Sequence, residues 1–191
     1  ESSGVDAIVA EGFEAGGHNG REETTTMCLV PDVAKAINIP LIAAGGIIDG
    51  KSMLAAMILG ADGVQMGTRF VASKESSAHE NFKNMVLKAK EGDTRLTLKE
   101  ITPVRMMKNN FFQELEELYK INPSKEQLLN KLGRGRAKLG MFEGNLEAGE
   151  LEIGQASSQI NKVFTAQEII QQIMTEFSSI KSQMLIDNKF N

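Results

Sequence analysis

Within ten positions the chain places a carboxylate, two adjacent glycines, a histidine and a third glycine: Glu11, Gly16, Gly17, His18 and Gly20. Histidine is the side chain suited to moving protons near neutral pH. Glycines on either side give it conformational freedom and let a ligand approach the backbone. His18, with Glu14 close by in sequence, is therefore a candidate general acid, general base or hydrogen-bond donor. A solvated loop histidine is the bland alternative. Its position argues against that, because the apolar run Val5 to Ala10 precedes it and sets it past the carboxyl end of a strand, where α/β folds keep their sites. Two further stations follow. Gly45-Gly46 ends the run Pro40 to Ala44, and Gly67-Thr68 ends Gly63 to Met66. Both offer backbone N–H groups, and Thr68 a hydroxyl, of the kind that receive a phosphate. Neither fits a Walker A loop or a GxGxxG fingerprint. One loop histidine provides no metal-site spacing, so no metal is expected.

These residues need elements to hold them. Short apolar runs read as parallel strands buried on both faces, and helix-like segments at Leu29 to Ile37 and Ser52 to Leu59 fall between them. The resulting β-loop-α-β-loop-α-β order, with right-handed crossovers, brings all three glycine loops to one edge of one sheet. Asp49 is a plausible helix entry and Gly60 a stop. Glu22 to Met27, with three threonines, reads as a polar loop carrying helix-capping hydroxyls. Cys28 reads as a small packed residue, since no thiol-activating pattern surrounds it.

Beyond Phe70 the character changes. Ser77 to Glu80 has capping-box spacing ahead of an apolar face formed by Phe82, Met85, Val86 and Ala89, with Gly92 as the stop and His79 as a polar first-turn residue. Leu96 to Lys108 is undetermined, with Pro103 breaking any long helix. Asn110 to Lys120 reads as helical. Ser124 to Gln127 is a second capping box, closed by Gly133. Leu132 to Gly154 carries Arg134, Arg136 and Lys138, which suit either a nucleotide phosphate or acidic carrier, or a solvated loop. Thr165 to Glu168 caps an amphipathic helix bearing Ile169, Ile173, Phe177, Ile180 and Met184. Such a helix needs a broad apolar partner, such as the outside of a barrel.

The 191 residues carry a net charge of −4 and a pI near 5.4, which offers nucleic acid no field. No apolar run approaches the roughly 20 residues of a membrane span. A single cysteine and the lack of a signal peptide point to the cytoplasm. The chain opens without Met, directly on a strand, and three strands cannot close a barrel. The expectation is the latter part of a longer protein.

AEGFEAGGHNG, IPLIAAGGI and DGVQMGTRF, in this order and spacing, resemble the flavin-dependent nitronate monooxygenase and enoyl-acyl-carrier-protein reductase II family, and the likeness runs on through ESSAHENFK and GRGRAK to the last helix. The resemblance implies the C-terminal part of a (β/α)8 TIM barrel, strands six to eight, with a small helical domain inserted after the eighth. Residues 1–75 would be partial barrel, 76–162 the inserted α-rich domain, 163–186 the last barrel helix and 187–191 a loose tail. It further implies FMN held by Glu11, Gly16, Gly45, Gly46, Gln65, Gly67 and Thr68, with His18 catalytic. Glu11, ESSAHENFK and Asp93-Thr94 look more like the reductases, which take electrons from NAD(P)H to reduce a 2-enoyl thioester on an acyl carrier. In that case the Arg134 to Lys138 cluster would meet the nicotinamide cofactor or the carrier. The alternatives are a nitronate monooxygenase using oxygen, and an inactive fragment or flavin- or phosphate-binding module. Expected partners are a small-molecule or carrier-bound substrate, the missing N-terminal half of the barrel, and a second copy in a homodimer.

Overall fold

The computed structural model describes residues 1–184; the expected tail at 187–191 lies outside them. Three parallel strands, β1 (Ile8–Glu11), β3 (Leu41–Ala44) and β4 (Gly63–Gln65), form one sheet in the order β1-β3-β4. Helix α1 (Thr26–Ala36) crosses from the first to the second, and α2 (Gly50–Ile58) from the second to the third. The register sets Glu11 beside Ala44 and Ala44 beside Gln65. All three strand ends therefore share one row, and the glycine loops leave from one edge as expected.

The helices cover only one face. Val30 of α1 and Ala56 of α2 pack with Ala10, Leu41 and Ala43 in a dry cluster. On the other face Val9 is 50% exposed. The strands were expected to be buried on both sides, and β1 is not, because no helix of the described chain reaches that face. Parallel sheets are seldom left open in this way.

Local signals explain most helix ends. Asp49 and Ser52 form a reciprocal capping box at α2, and Gly60, at φ 112, lies just beyond that helix's end. The threonines behave differently from expectation. Thr25 makes no side-chain cap; instead both Glu14 oxygens accept from the Thr26 N–H, at 3.1 and 3.0 Å. Thr26 Oγ1 donates toward the Gly45 carbonyl at 2.8 Å, tying α1 to the double-glycine loop. Glu14 is thus held at α1 and does not serve His18. Cys28 is exposed, not packed. Thr26 and Val30, four apart, point inward, so Cys28 midway between them points outward.

After a short helix α3 (Thr68–Val71), helix α4 (Glu80–Leu87) buries Phe82 and Val86. Its cap is His79, whose Nδ1 accepts from the Asn81 N–H at 3.1 Å, and not Ser77. The helix stops before Gly92, with Lys88 as its C-cap. The undetermined stretch is a hairpin of β5 (Thr94–Thr97) and β6 (Val104–Met107), with Pro103 in the connection. A domain expected to be α-rich thus carries two strands. They pair with β2 (Gly17–His18) in the order β2-β6-β5, antiparallel throughout. The histidine loop therefore joins the second sheet across the expected boundary at residue 75.

Helices α5 (Asn110–Tyr119) and α6 (Lys125–Leu132) pack Phe111, Leu115 and Leu128 against that hairpin. Ser124 and Gln127 form the expected capping box. The last helix, α7 (Ala166–Met184), buries Ile169 and Ile173 and lies on α2. At Gly50 a Cβ would run into the α7 backbone at Phe177 and Ile173, so only glycine allows this approach. Among the described residues no helix is long and apolar enough to cross a membrane.

Candidate functional site

A cleft of about 240 Å³ opens at the carboxyl ends of the parallel strands. Its walls include Glu11, Gly16, Gly45, Gly46, Gln65, Gly67 and Thr68, all seven of the residues expected to contact a cofactor. Gly45 and Gly46 have φ of 95° and 70°, which an L side chain rarely adopts. A Cβ on Gly45 would lie 2.6 Å from the Gly12 carbonyl oxygen, so that turn is closed to any other residue. Gly67 is different: a Cβ there would meet nothing within 4 Å, because the position faces open cleft. The backbone N–H groups of Gly46, Gly67 and Thr68 have no protein acceptor among the described residues. Thr68 Oγ1 accepts from the Gly154 N–H at 3.0 Å, leaving its own proton free. Three unengaged N–H groups and a hydroxyl, with open space at Gly67, fit a phosphate-bearing cofactor such as FMN. The hollow is smaller than the roughly 300–1,000 Å³ of typical small-molecule sites, so it fits only part of a flavin.

Glu11 and Gln65 flank this hollow from either end of the strand row. Burial raises the Glu11 carboxyl above its ordinary range. His18 does not line the cleft. It opens onto a neighbouring chamber of about 200 Å³, walled by Leu98, Ile101, Val104, Leu132, Arg136 and others. One residue lines both spaces. Glu152, paired with Met106 of β6 on the same edge as β2, stands between cleft and chamber. Its Oε2 lies 2.7 Å from where a Cβ of Gly17 would be. Gly17, at φ 80°, thus supplies both the turn and the room for that carboxylate.

The second sheet holds the histidine loop in place. Arg105, fully buried on β6, donates from Nε and Nη2 to the Phe13 carbonyl and lies over the Phe13 ring at 4.8 Å. Asn19 N–H donates to the Pro103 carbonyl at 2.8 Å, and Arg21 donates to the carbonyls of Lys99 and Ile101. Sequence reasoning missed Arg105 and Glu152. Each left a faint signal: a lone arginine in the apolar run Val104 to Met107, and carboxylates alternating with Leu151 and Ile153.

The basic cluster is not a free patch. Arg136 donates to the carbonyls of Leu132, Lys131 and Ala148 and stacks on Phe111 at 4.3 Å. Lys138 pairs with Glu143 at 3.4 Å. Arg136 closes α6 and turns the chain, which leaves Arg134 and the exposed Lys138 as the members open to a cofactor or carrier. Nor is Leu132 to Gly154 a solvated loop, since Leu151 and Ile153 are buried.

The model of the family described as nitronate monooxygenase matches residues 1–176. A probable nitronate monooxygenase of Staphylococcus saprophyticus is 37% identical over 194 residues, covering 96% of this chain and 54% of that protein. One from Staphylococcus aureus is 35% identical, covering 94% and 53%. Among solved structures, FabK from Thermotoga maritima has a TM-score of 0.87 and 41% identity, covering 96% of this chain and 58% of that one. A nitroalkane oxidase from Streptomyces ansochromogenes has a TM-score of 0.79 and 28% identity, covering 96% and 55%. The chain spans about half the length of the relatives it matches. With the family model spanning both the glycine loops and the histidine strand, the chain belongs to the nitronate monooxygenase family.

Proposed function

We propose that the chain is the C-terminal part of an FMN-dependent oxidoreductase of barrel fold, acting as an NAD(P)H-dependent enoyl-acyl-carrier-protein reductase. The observation that carries the flavin reading is the hollow at the strand ends, where Gly46, Gly67 and Thr68 present unengaged N–H groups and no side chain intrudes at Gly67. FMN, when bound, supplies the hydride chemistry that no side chain here can perform. The chain supplies position and electrostatics. The N–H groups and the Thr68 hydroxyl hold the phosphate, Glu11 and Gln65 take polar edges of the cofactor, and His18 orients the thioester carbonyl or moves a proton at the α-carbon. The similarity to FabK, higher in identity than that to the nitroalkane oxidase, favours reduction of an enoyl thioester. The open face of β1, with Val9 uncovered, suits the remaining barrel strands, which are the partner this reading requires.

A second reading is oxidation of alkyl nitronates with oxygen, favoured by the names of the staphylococcal relatives. The test is the purified protein with its remaining barrel segment. Flavin absorbance and NADPH consumption that requires crotonyl thioester would support the reductase. Oxygen uptake with ethyl nitronate and no NADPH would replace it with the second reading, and a colourless preparation inert to both would overturn the enzyme reading.

A further inference from the structure

Glu152 is the one residue shared by the cofactor cleft and the His18 chamber. Its carboxylate occupies the space left by the missing side chain of Gly17, directly before His18 in sequence. It makes no ion pair or hydrogen bond among the described residues, so its charge is not neutralised by contact. Glu150, two residues earlier in this extended segment, lines the same chamber, and its carboxyl too has no ion pair or hydrogen bond among the described residues. Arg136, the cation of that chamber, has its donors committed to three carbonyls. Any substrate that reaches His18 from the cofactor side passes this carboxylate.

We propose that Glu152 is a specificity-determining residue: its carboxylate bars anionic substrates from His18 and admits neutral ones. The proposal rests on His18 being the substrate-facing histidine, and it deepens that reading by naming what selects the substrate class. A neutral enoyl thioester passes. An alkyl nitronate, which carries a full negative charge, meets a like charge beside the residue meant to receive it. Burial raises the Glu152 carboxyl while the neighbouring His18 lowers it, in keeping with a half-buried group next to the histidine.

The chain's two histidines make a direct test possible without flavin or turnover. Bromoacetate and bromoacetamide alkylate imidazole alike and differ in charge, and mass analysis of peptides reads each histidine separately. At pH 8, His18 in the native chain should react with bromoacetate about tenfold more slowly, relative to bromoacetamide, than in Glu152→Gln. The bromoacetamide rate at His18 and both rates at His79 should change less than about twofold. An unchanged ratio at His18 in the Gln variant would overturn the proposal. Should that variant not fold, the native chain decides alone. About 1 M salt, which shortens the Debye length to about 3 Å, should raise the bromoacetate ratio at His18, and a salt-independent ratio equal to that at His79 would overturn it. Absence of flavin activity would leave this result readable, so failure of the enzyme reading and failure of the charge barrier are separable.

Discussion

Arg105 donates two hydrogen bonds to the carbonyl oxygen of Phe13, from Nε at 3.0 Å and Nη2 at 2.8 Å, across 92 residues of sequence. Arg105 belongs to the hairpin that follows the third parallel strand, and Phe13 to the loop that carries His18. Among the described residues the guanidinium has no carboxylate in contact. Burial lowers its pKa, and Glu14 and Glu23 act on it from further off to keep it charged. A buried cation held by a carbonyl and an aromatic face is a fixed point, and the histidine loop hangs from it.

Arg105→Met should therefore loosen the loop as well as the fold. It leaves the partly buried Phe13 carbonyl without its donor and removes charge-assisted bonds. The expected loss is about 2–4 kcal/mol in urea unfolding. Trypsin cleavage after Arg21, whose own bonds to the Lys99 and Ile101 carbonyls depend on the same hairpin, should accelerate in step. Equal stability with unchanged cleavage would show that the loop is held by β2 pairing alone.

Gly45 and Gly67 separate the glycine that shapes the turn from the glycine that faces the ligand. Gly45→Ala must place a Cβ against the Gly12 backbone at a φ of 95°, and should cost about 3 kcal/mol or prevent folding. Gly67→Ala meets nothing and keeps a φ of −90°, so stability should stay within about 0.5 kcal/mol. Its methyl group would stand in the hollow, and on the flavin reading proposed above the FMN affinity of the longer protein should fall about tenfold. Thermal melts and flavin fluorescence titration read the two effects independently.

The parallel strands and the edge shared by their loops were legible because period, length and glycine punctuation all agree there. The capping boxes at Ser124 and Thr165 were legible for the same reason: each is local, and its bonds form within four residues. What sequence did not disclose is long-range. Glu14 reads as a neighbour of His18 and instead caps α1. Arg136 reads as one of a phosphate-facing trio and instead closes α6. The β5–β6 hairpin was hidden by Pro103 and by arginines within its short strands, and its pairing with Gly17-His18 joins residues about 85 positions apart. Residue type announces what a group can do, but a buried carbonyl elsewhere in the chain decides which of those things it does.

Tyr119 offers a compact check on that second lobe. Its hydroxyl accepts from the Leu98 N–H at 3.2 Å and donates to Glu100 at 2.7 Å, at a point where Leu98 holds a φ of 56°. Burial first, and then the Glu100 hydrogen bond, push the phenol up to about 12. Tyr119→Phe should leave the Leu98 N–H unpaired and cost about 1–2 kcal/mol. In the native chain, tyrosinate absorbance, from the single tyrosine, should not appear until well above pH 10. Titration near pH 10 would mean that the hydroxyl is solvated.

Glu150 gives a pH dependence with a definite sign. Burial raises its carboxyl to about 7 from an ordinary 4.5, Glu152 adding to the rise and Arg136 opposing it. Between those values the folded chain holds a proton that the unfolded chain releases, so stability falls as pH rises through this window. The contribution is fully present below 4.5 and gone above about 7, and the difference amounts to about 3 kcal/mol at most. Other carboxyls that are raised in the fold, Glu11 and Glu152 among them, slope the same way, so the effect is assigned by comparison with a variant. The difference between native and Glu150→Gln can. At pH 5 the folded forms of both are neutral at this position, and urea unfolding should give stabilities within about 1 kcal/mol of each other. At pH 8 the native chain carries an unpaired buried charge and the variant does not, so the variant should be the more stable, by about 1–3 kcal/mol. A gap that is the same at both pH values would mean that Glu150 titrates as an ordinary exposed carboxyl, and that the chamber beside His18 is wetter than its walls imply.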